Sequence, residues 1–143
     1  MRRLSGLFLA AVVAVACGGG VFTLEVGTCF NDEGPPGAAA EEISSVPEVD
    51  CSEPHDNEVF ALIDYTETAS YPGAEQMTEI GTNLCIEQFD AYVGIAYLDS
   101  ELDVFSITPT EDGWNRLNDR EIICALYNLD LSKLTGSMRG AAR

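Results

Sequence analysis

The sequence has very little positive charge. Seven Lys and Arg residues stand against 24 Asp and Glu residues, so the formal net charge is −17 at pH 7. Proteins that bind nucleic acid use Lys and Arg to neutralise phosphates, and an anionic membrane leaflet would repel such an acidic body. The composition therefore argues against a nucleic acid partner and against attachment to a membrane through charge.

Basic residues are missing altogether from a long central stretch. Residues 17–115 contain neither Lys nor Arg but hold 21 of the 24 acidic residues, because only Asp119, Glu121 and Asp130 come later. Five of the seven basic residues lie in residues 116–143. We interpret this distribution as a hydrated acidic surface onto which a basic carboxyl-terminal segment docks, rather than as a dedicated cation site.

No apolar run is long enough to cross a bilayer. Residues 4–16 form a run of thirteen, whereas a spanning helix needs ~20 residues. The run follows Arg2 and Arg3 and ends in small residues directly before Cys17, which is typical of an export signal. A small-residue run that ends on Cys followed by Gly resembles the signal of bacterial lipoproteins, in which the thiol receives a diacylglyceryl group and the Cys becomes the new amino terminus. Such signals usually have Leu three residues before the Cys, where this chain has Ala14.

These features predict three parts of the chain. Residues 1–16 would be a signal peptide of the lipoprotein type, residues 17–24 an acylated Cys17 with a short Gly tether, and residues 25–143 one folded domain. Two acyl chains attach a protein stably to a bilayer, whereas one binds only marginally. We therefore predict that the lipid bilayer is a partner through Cys17 and that the protein lies on the outer face of the cell membrane. Plain secretion and an uncleaved anchor are the alternatives.

The cysteines are few but form a pattern. Setting Cys17 aside leaves four of the five cysteines, and an even set in an exported chain predicts a disulfide framework. Four free thiols would suit a cytosolic protein, which the export signal argues against. More than one connectivity is open. We favour Cys29–Cys51, which would close a Pro- and Gly-rich acidic loop, and Cys85–Cys124, which would pin a helix to a strand.

The periodicities predict an α+β fold with a small, mainly antiparallel sheet, one principal helix and two disulfides. Short β-like segments at residues 27–30 and 46–51 flank the acidic loop. The helix is predicted over residues 73–92, where apolar residues recur at intervals of three and four. Two later strands are predicted over residues 104–108 and 121–128.

A central strand is predicted in "NEVFALIDYTE". Its β-branched and aromatic content is typical of strands, and simple alternation places Val59, Ala61 and Ile63 on one face and Phe60 and Leu62 on the other. Both faces are apolar, so we expect this strand to lie in the interior of the sheet.

Six segments in order resemble the septum-formation domain family, whose members are extracytoplasmic domains found mainly in actinobacterial envelope proteins. The segments are "VGTCF", "VDCSEPHDNEVF", "YPG", "LCIEQFDAYVG", "GWNRLNDREIICAL" and "LTGSMRG". The resemblance covers about residues 25–143 and implies a role near the division septum without an established biochemical activity. The positions that it implies are framework cysteines Cys29, Cys51, Cys85 and Cys124, the Pro54-His55 turn, Trp114 and the Thr135-Gly136-Ser137 end.

The chain departs from the family pattern at one turn. Members more often have Gly-Asp-Arg where this chain has Asn118-Asp119-Arg120. Because Asn tolerates a positive φ, we expect the turn to be preserved.

His55 is the only histidine and the natural candidate for chemistry. Catalysis by a histidine base would need a nucleophile nearby, and the sequence has no Gly-x-Ser-x-Gly motif. A zinc site would lack ligands, because the cysteines are predicted to form disulfides. We therefore expect a structural histidine, hydrogen-bonded at a turn.

The acidic residues predict no metal site. Asp99, Glu101 and Asp103 alternate, but an EF-hand loop that began at Asp99 would need Gly at the sixth position and Glu at the twelfth, where Val104 and Thr110 stand. We expect the three carboxylates on the wet face of a strand or loop. Two carboxylates at the right distance can hydrolyse glycosides, but in a chain with 24 acidic residues such a pair arises by accident.

The favoured function is a non-enzymatic envelope module that needs no cofactor. It would bind an envelope protein or a cell-wall component during septum formation or wall maintenance. His55 and Trp114 are the candidate binding residues, although core packing is the more ordinary role for the single tryptophan. The alternative is an envelope hydrolase that uses acidic residues, with or without His55.

Overall fold

The computed structural model describes residues 24–33 and 45–143. The predicted signal peptide, Cys17 and Gly18–Gly20 therefore lie outside the described residues, as does most of the acidic loop. Among the described residues, no helix combines the length and the apolar character needed to span a membrane.

The described residues form one antiparallel sheet with a single long helix packed on it, which confirms the predicted α+β fold. The elements are β1 (Cys29–Phe30), β2 (Glu48–Val49), β3 (Asn57–Asp64), α1 (Ala74–Val93), β4 (Leu102–Ile107) and β5 (Glu121–Asn128). The sheet order is β2-β1-β3-β5-β4, and every pair of neighbouring strands is antiparallel. A 3₁₀ turn at Tyr97–Asp99 precedes β4, and a π-helical turn at Gly113–Leu117 precedes β5.

Strand β5 divides the apolar residues between two sides of the sheet. Ile122, Cys124 and Leu126 belong to the core between the sheet and α1. Ile123 and Ala125 belong to a second cluster, which includes Leu24 and Phe30. Successive side chains of a strand point to opposite faces, so the alternation predicted for β5 is confirmed.

Strand β3 differs from the simple alternation because it contains a β-bulge. Val59 pairs with Ala125, but Ala61 pairs with Cys124, so Phe60 is an extra residue in the ladder. Phe60 and Ala61 consequently both pack on the side of α1, together with Ile63. Val59 and Leu62 pack on the other side. The prediction that placed Val59 with Ala61 and Ile63 was wrong, since it assumed an unbroken period of two.

Helix α1 begins and ends within one residue of its predicted bounds. Its buried residues include Met77, Gly81, Cys85 and Phe89, which recur every four positions and therefore share one face. The helix ends at Gly94, whose φ of 88° is left-handed, and its N–H donates to the carbonyl of Asp90 at 2.8 Å. Glycine accepts this conformation without steric cost.

The two favoured disulfides are both present. Cys29–Cys51 joins β1 to the residues just after β2, and Cys85–Cys124 joins the buried face of α1 to the centre of β5. Their sequence separations are 22 and 39 residues. Each cross-link of this size restricts the unfolded chain by about 3 to 4 kcal/mol in the chain-entropy account.

Gly81 allows the helix to approach β4 closely. A Cβ at position 81 would lie 2.6 Å from Oγ and 2.9 Å from Cβ of Ser106, which belongs to β4. The glycine therefore weakens the helix locally but is required by its packing.

We expect Gly81→Ala to destabilise the protein although Ala favours helices. Overpacking of this kind costs about 1 to 3 kcal/mol, which exceeds the gain of about 1 kcal/mol in helix propensity. Asn83→Ala, at an exposed position of the same helix, is the matched control and should be neutral or slightly stabilising. Urea unfolding measures both, and a stabilising Gly81→Ala would contradict the close packing of α1 on β4.

Candidate functional site

His55 lies fully buried just before β3 and forms a backbone bridge to the carboxyl-terminal segment, residues 129–143. The backbone N–H of His55 donates to the carbonyl of Leu134 at 3.0 Å, and the backbone N–H of Leu134 donates to the carbonyl of His55 at 2.8 Å. The ring atom Nδ1 is 2.8 Å from the carbonyl oxygen of Glu53. A carbonyl oxygen can only accept, so Nδ1 carries the hydrogen, and Nε2 is buried without a hydrogen-bond partner among the described residues.

Glu58 is fully buried in β3, yet its carboxylate has three hydrogen-bond donors. The hydroxyl of Tyr92 donates to Oε1 at 2.6 Å, and the hydroxyl of Ser137 donates to the same oxygen. The N–H of Met138 donates to Oε2 at 2.6 Å. A buried charge is tolerated when it is hydrogen-bonded in this way. Glu58 therefore links the central strand to both α1 and the carboxyl-terminal segment.

His55 and Glu58 also form a compact group of metal-ligand types with Cys29. One ligand atom from each of the three lies within 4.8 Å of the other two. The sulfur of Cys29 is bonded to Cys51, however, and a cysteine coordinates zinc only as a free thiolate. The remaining imidazole and carboxylate are too few for a zinc site, so the arrangement acts as an internal support rather than a metal centre.

The carboxyl-terminal segment is fastened along its whole length. The N–H of Gly136 donates to the carbonyl of Cys51, and the N–H groups of Gly140 and Ala142 donate to the carbonyls of Tyr92 and Val93 at the end of α1. Two of its three basic side chains meet acidic partners at 2.6 Å in the ion pairs Lys133–Asp56 and Arg143–Glu101. Residues 129–143, the last part of the basic stretch 116–143, therefore dock onto the body of the domain.

Asp103 lies half-buried between two tyrosines, unlike its predicted place on the wet face. It accepts hydrogen bonds from the hydroxyls of Tyr97 and Tyr127 and from the N–H of Val104. Burial acts to raise the pKa of Asp103, but these hydrogen bonds outweigh it and lower the pKa. Asp99 and Glu101 are exposed, as expected. The prediction for Asp103 was wrong because it considered only the spacing of the carboxylates in the sequence. It did not include Tyr97 and Tyr127, whose hydroxyls donate to Asp103 in the folded chain.

Trp114 is 2% exposed and lies in the core. Its ring centroid is 6.5 Å from that of Tyr65 and 5.9 Å from that of Tyr71, and the guanidinium carbon of Arg120 lies 3.6 Å above the ring. This is the core packing that the sequence favoured over partner binding. Asn118, which closes the π-helical turn, adopts the positive φ expected of it, at 56°.

The role of Glu58 was not predicted, although the sequence contains a signal for it. An acidic residue stands here directly before a run of five apolar residues, Val59 to Ile63, in a central strand where a charge is costly unless it is paired. Its donors Ser137 and Met138 are 79 and 80 residues away along the chain. No local pattern identifies them.

We expect Glu58→Gln to destabilise the protein by about 2 to 3 kcal/mol, the typical worth of hydrogen bonds to a buried charge. The amide would present N–H groups to a site that already contains three donors. Glu79→Gln, on the exposed face of α1, is the matched control and should change the free energy of unfolding little. Equal effects of the two substitutions in urea unfolding would show that Glu58 does not hold the segment.

We expect three tyrosines to make stability fall at high pH. Burial, followed by the hydrogen bond to Glu58, raises the pKa of Tyr92 to about 12. The hydrogen bond to Asp103, followed by burial, raises the pKa of Tyr97 to about 12, and burial, followed by the hydrogen bond to Asp103, raises the pKa of Tyr127 to about 12. The usual tyrosine pKa is 10.0, so this stabilisation is fully present below pH 10 and is lost as the pH rises through 12.

Urea unfolding between about pH 8 and about pH 12 measures this loss. The double variant Tyr97→Phe/Tyr127→Phe should show a shallower decline than the wild-type chain. An unchanged decline would contradict the assignment.

Comparison with known proteins identifies the chain's family. The sequence model of the septum formation family matches residues 26–143. This range is most of the chain and includes every strand and the helix described above. No curated protein and no solved structure matches the chain. The two disulfides are typical of extracytoplasmic proteins. The chain belongs to the septum formation family.

Proposed function

We propose that this protein is a non-enzymatic binding module of the cell envelope. It is anchored to the outer face of the cell membrane through acylated Cys17 and binds an envelope protein or a cell-wall component during septum formation or wall maintenance. Membership of the septum formation family supports the cellular context. The disulfides support an oxidising, extracytoplasmic location.

The burial of His55 and Glu58 is the observation that carries the proposal. A general base must come within hydrogen-bond reach of its substrate. Both side chains are fully buried, and the donors to Glu58 belong to the protein itself. The pair of side chains that would best suit acid–base chemistry, His55 and Glu58, is therefore enclosed within the protein. This arrangement favours a binding function over a hydrolytic one.

The position of Leu24 supports an anchor close to the domain. Leu24 is 6% exposed and packs in the cluster that contains Phe30 and Val59. Seven residue steps separate it from Cys17, which span at most about 25 Å when extended. An acylated Cys17 would therefore keep the binding domain beside the membrane surface, within reach of membrane-bound envelope partners.

The anchor is tested by the intact mass of the protein purified from membranes. We expect a chain that begins at diacylated Cys17 and that gains four alkyl groups only after reduction, because the other four of its five cysteines are paired. Cys17→Ala should abolish acylation, whereas Ala14→Leu, which restores the usual residue of the signal, should be processed at least as well. An unacylated wild-type mass would contradict the anchor.

The absence of enzymatic activity is tested separately. The purified protein is incubated with isolated peptidoglycan, and released soluble fragments are measured beside His55→Ala. We expect no release above the buffer control. Release by the wild-type protein would overturn the proposal in favour of a hydrolase, and its loss in a folded His55→Ala variant would assign His55 to that activity.

A further inference from the structure

Three leucines are strongly exposed near one end of the sheet. Leu98, in the 3₁₀ turn before β4, is 92% exposed, and Leu129 and Leu131, which follow β5, are 63% and 65% exposed. The N–H of Leu129 donates to the carbonyl of Glu101 at 3.0 Å, so the two loops touch. We call these three residues the leucine tip. Single exposed leucines are ordinary, whereas several on adjoining loops favour an interaction site.

The loop that carries Leu129 and Leu131 is held by its own hydrogen bonds. The buried Asn128 donates from Nδ2 to the carbonyl of Ser132 at 2.9 Å, and its Oδ1 accepts from Arg143 at 3.0 Å. Asp130 accepts from the N–H and the hydroxyl of Ser132. The leucines are thus presented by a fixed backbone, which lowers the entropy lost on binding.

The backbone at Leu131 is strained. Its φ of 63° is left-handed, a conformation unfavourable for residues with a branched side chain and usually occupied by Gly or Asn. The N–H of Leu131 donates to the carbonyl of Asn128 at 2.8 Å, so the surrounding loop imposes the strain. Strain that persists in this way is concentrated at functional sites.

The charge around the leucine tip selects the kind of partner. Asp99, Glu101 and Asp130 are exposed beside the leucines. Of the nearby cations, Arg143 is paired with Glu101 and Lys133 with Asp56. Asp99 and Asp130 have no ion pair among the described residues. With a net charge of −17, the protein repels a second copy and an anionic lipid surface. A partner of the opposite sign is favoured.

We infer that the leucine tip is the docking surface for a basic amphipathic protein segment. The segment's apolar side chains would cover Leu98, Leu129 and Leu131, while its Lys and Arg side chains would meet Asp99 and Asp130. This inference rests on the proposed binding function and names the surface and the chemistry of its partner.

The test uses the acylated chain in phosphatidylcholine nanodiscs and a fluorescent model peptide made of Leu and Lys that forms an amphipathic helix. We expect saturable binding, weakened about tenfold by Leu129→Ser/Leu131→Ser, a loss of about 1.4 kcal/mol. Leu117→Ser is the matched control, because Leu117 is 52% exposed at the end of the π-helical turn that contains Trp114. This variant should bind the peptide like the wild-type chain. Equal binding by all three chains, or no saturable binding, overturns the inference.

A polarity-sensitive fluorophore attached at Leu98→Cys separates the other occupants. We expect an aqueous spectrum that shifts to the blue only when the peptide is added. A blue-shifted spectrum before addition would place the tip in the bilayer, and a shift that grows with protein concentration would indicate a second copy. Either result contradicts the inference. Failure of the anchor is distinguishable, since it appears in the intact mass and not in the peptide titration.

Discussion

The carboxylate of Glu58 joins the central strand to two parts of the molecule that are distant from it in sequence. Tyr92 brings the end of α1 to one oxygen, while Ser137 and Met138 bring the carboxyl-terminal segment to both. A buried carboxylate without these donors would be strongly unfavourable. The same segment pairs with the backbone of His55, so the residues at the start of β3 and the carboxyl-terminal segment hold one another in place.

The packing around Glu58 encloses several side chains that could otherwise have met a ligand or partner. Its histidine and its buried acid are enclosed, and its tryptophan is enclosed by Tyr65, Tyr71 and Arg120. The exposed features of the described residues include acidic side chains and the leucine tip, which Arg143 helps to hold in place through Asn128 and Glu101. The carboxyl-terminal segment thus both closes the core and supports part of the exposed surface. A disulfide-linked body of this kind fits the proposed binding role.

Much of the fold could be predicted because it depends on local patterns. The apolar period of α1 and the alternation of β5 each reflect the geometry of one element. The disulfide framework was indicated by the even number of cysteines that remains when Cys17 is set aside, in a chain predicted to be exported. The bulge at Phe60 could not be predicted, since it arises from the register between β3 and β5. The surroundings of Glu58 and Asp103 depend on residues brought together by the tertiary structure. His55 is buried and hydrogen-bonded at a turn, as expected, but the carboxylate beside it was missed because its donors lie far along the chain.

The measurement that tests this account most directly is hydrogen exchange at the backbone amide of Met138 in the wild-type chain. This amide donates to Oε2 of Glu58 at 2.6 Å, only five residues from the last position of the chain. If the buried carboxylate holds the segment, the Met138 amide exchanges only through global unfolding, as slowly as the amides of β5. Exchange orders of magnitude faster than in β5 would show that the segment opens freely and that Glu58 does not hold the structure together.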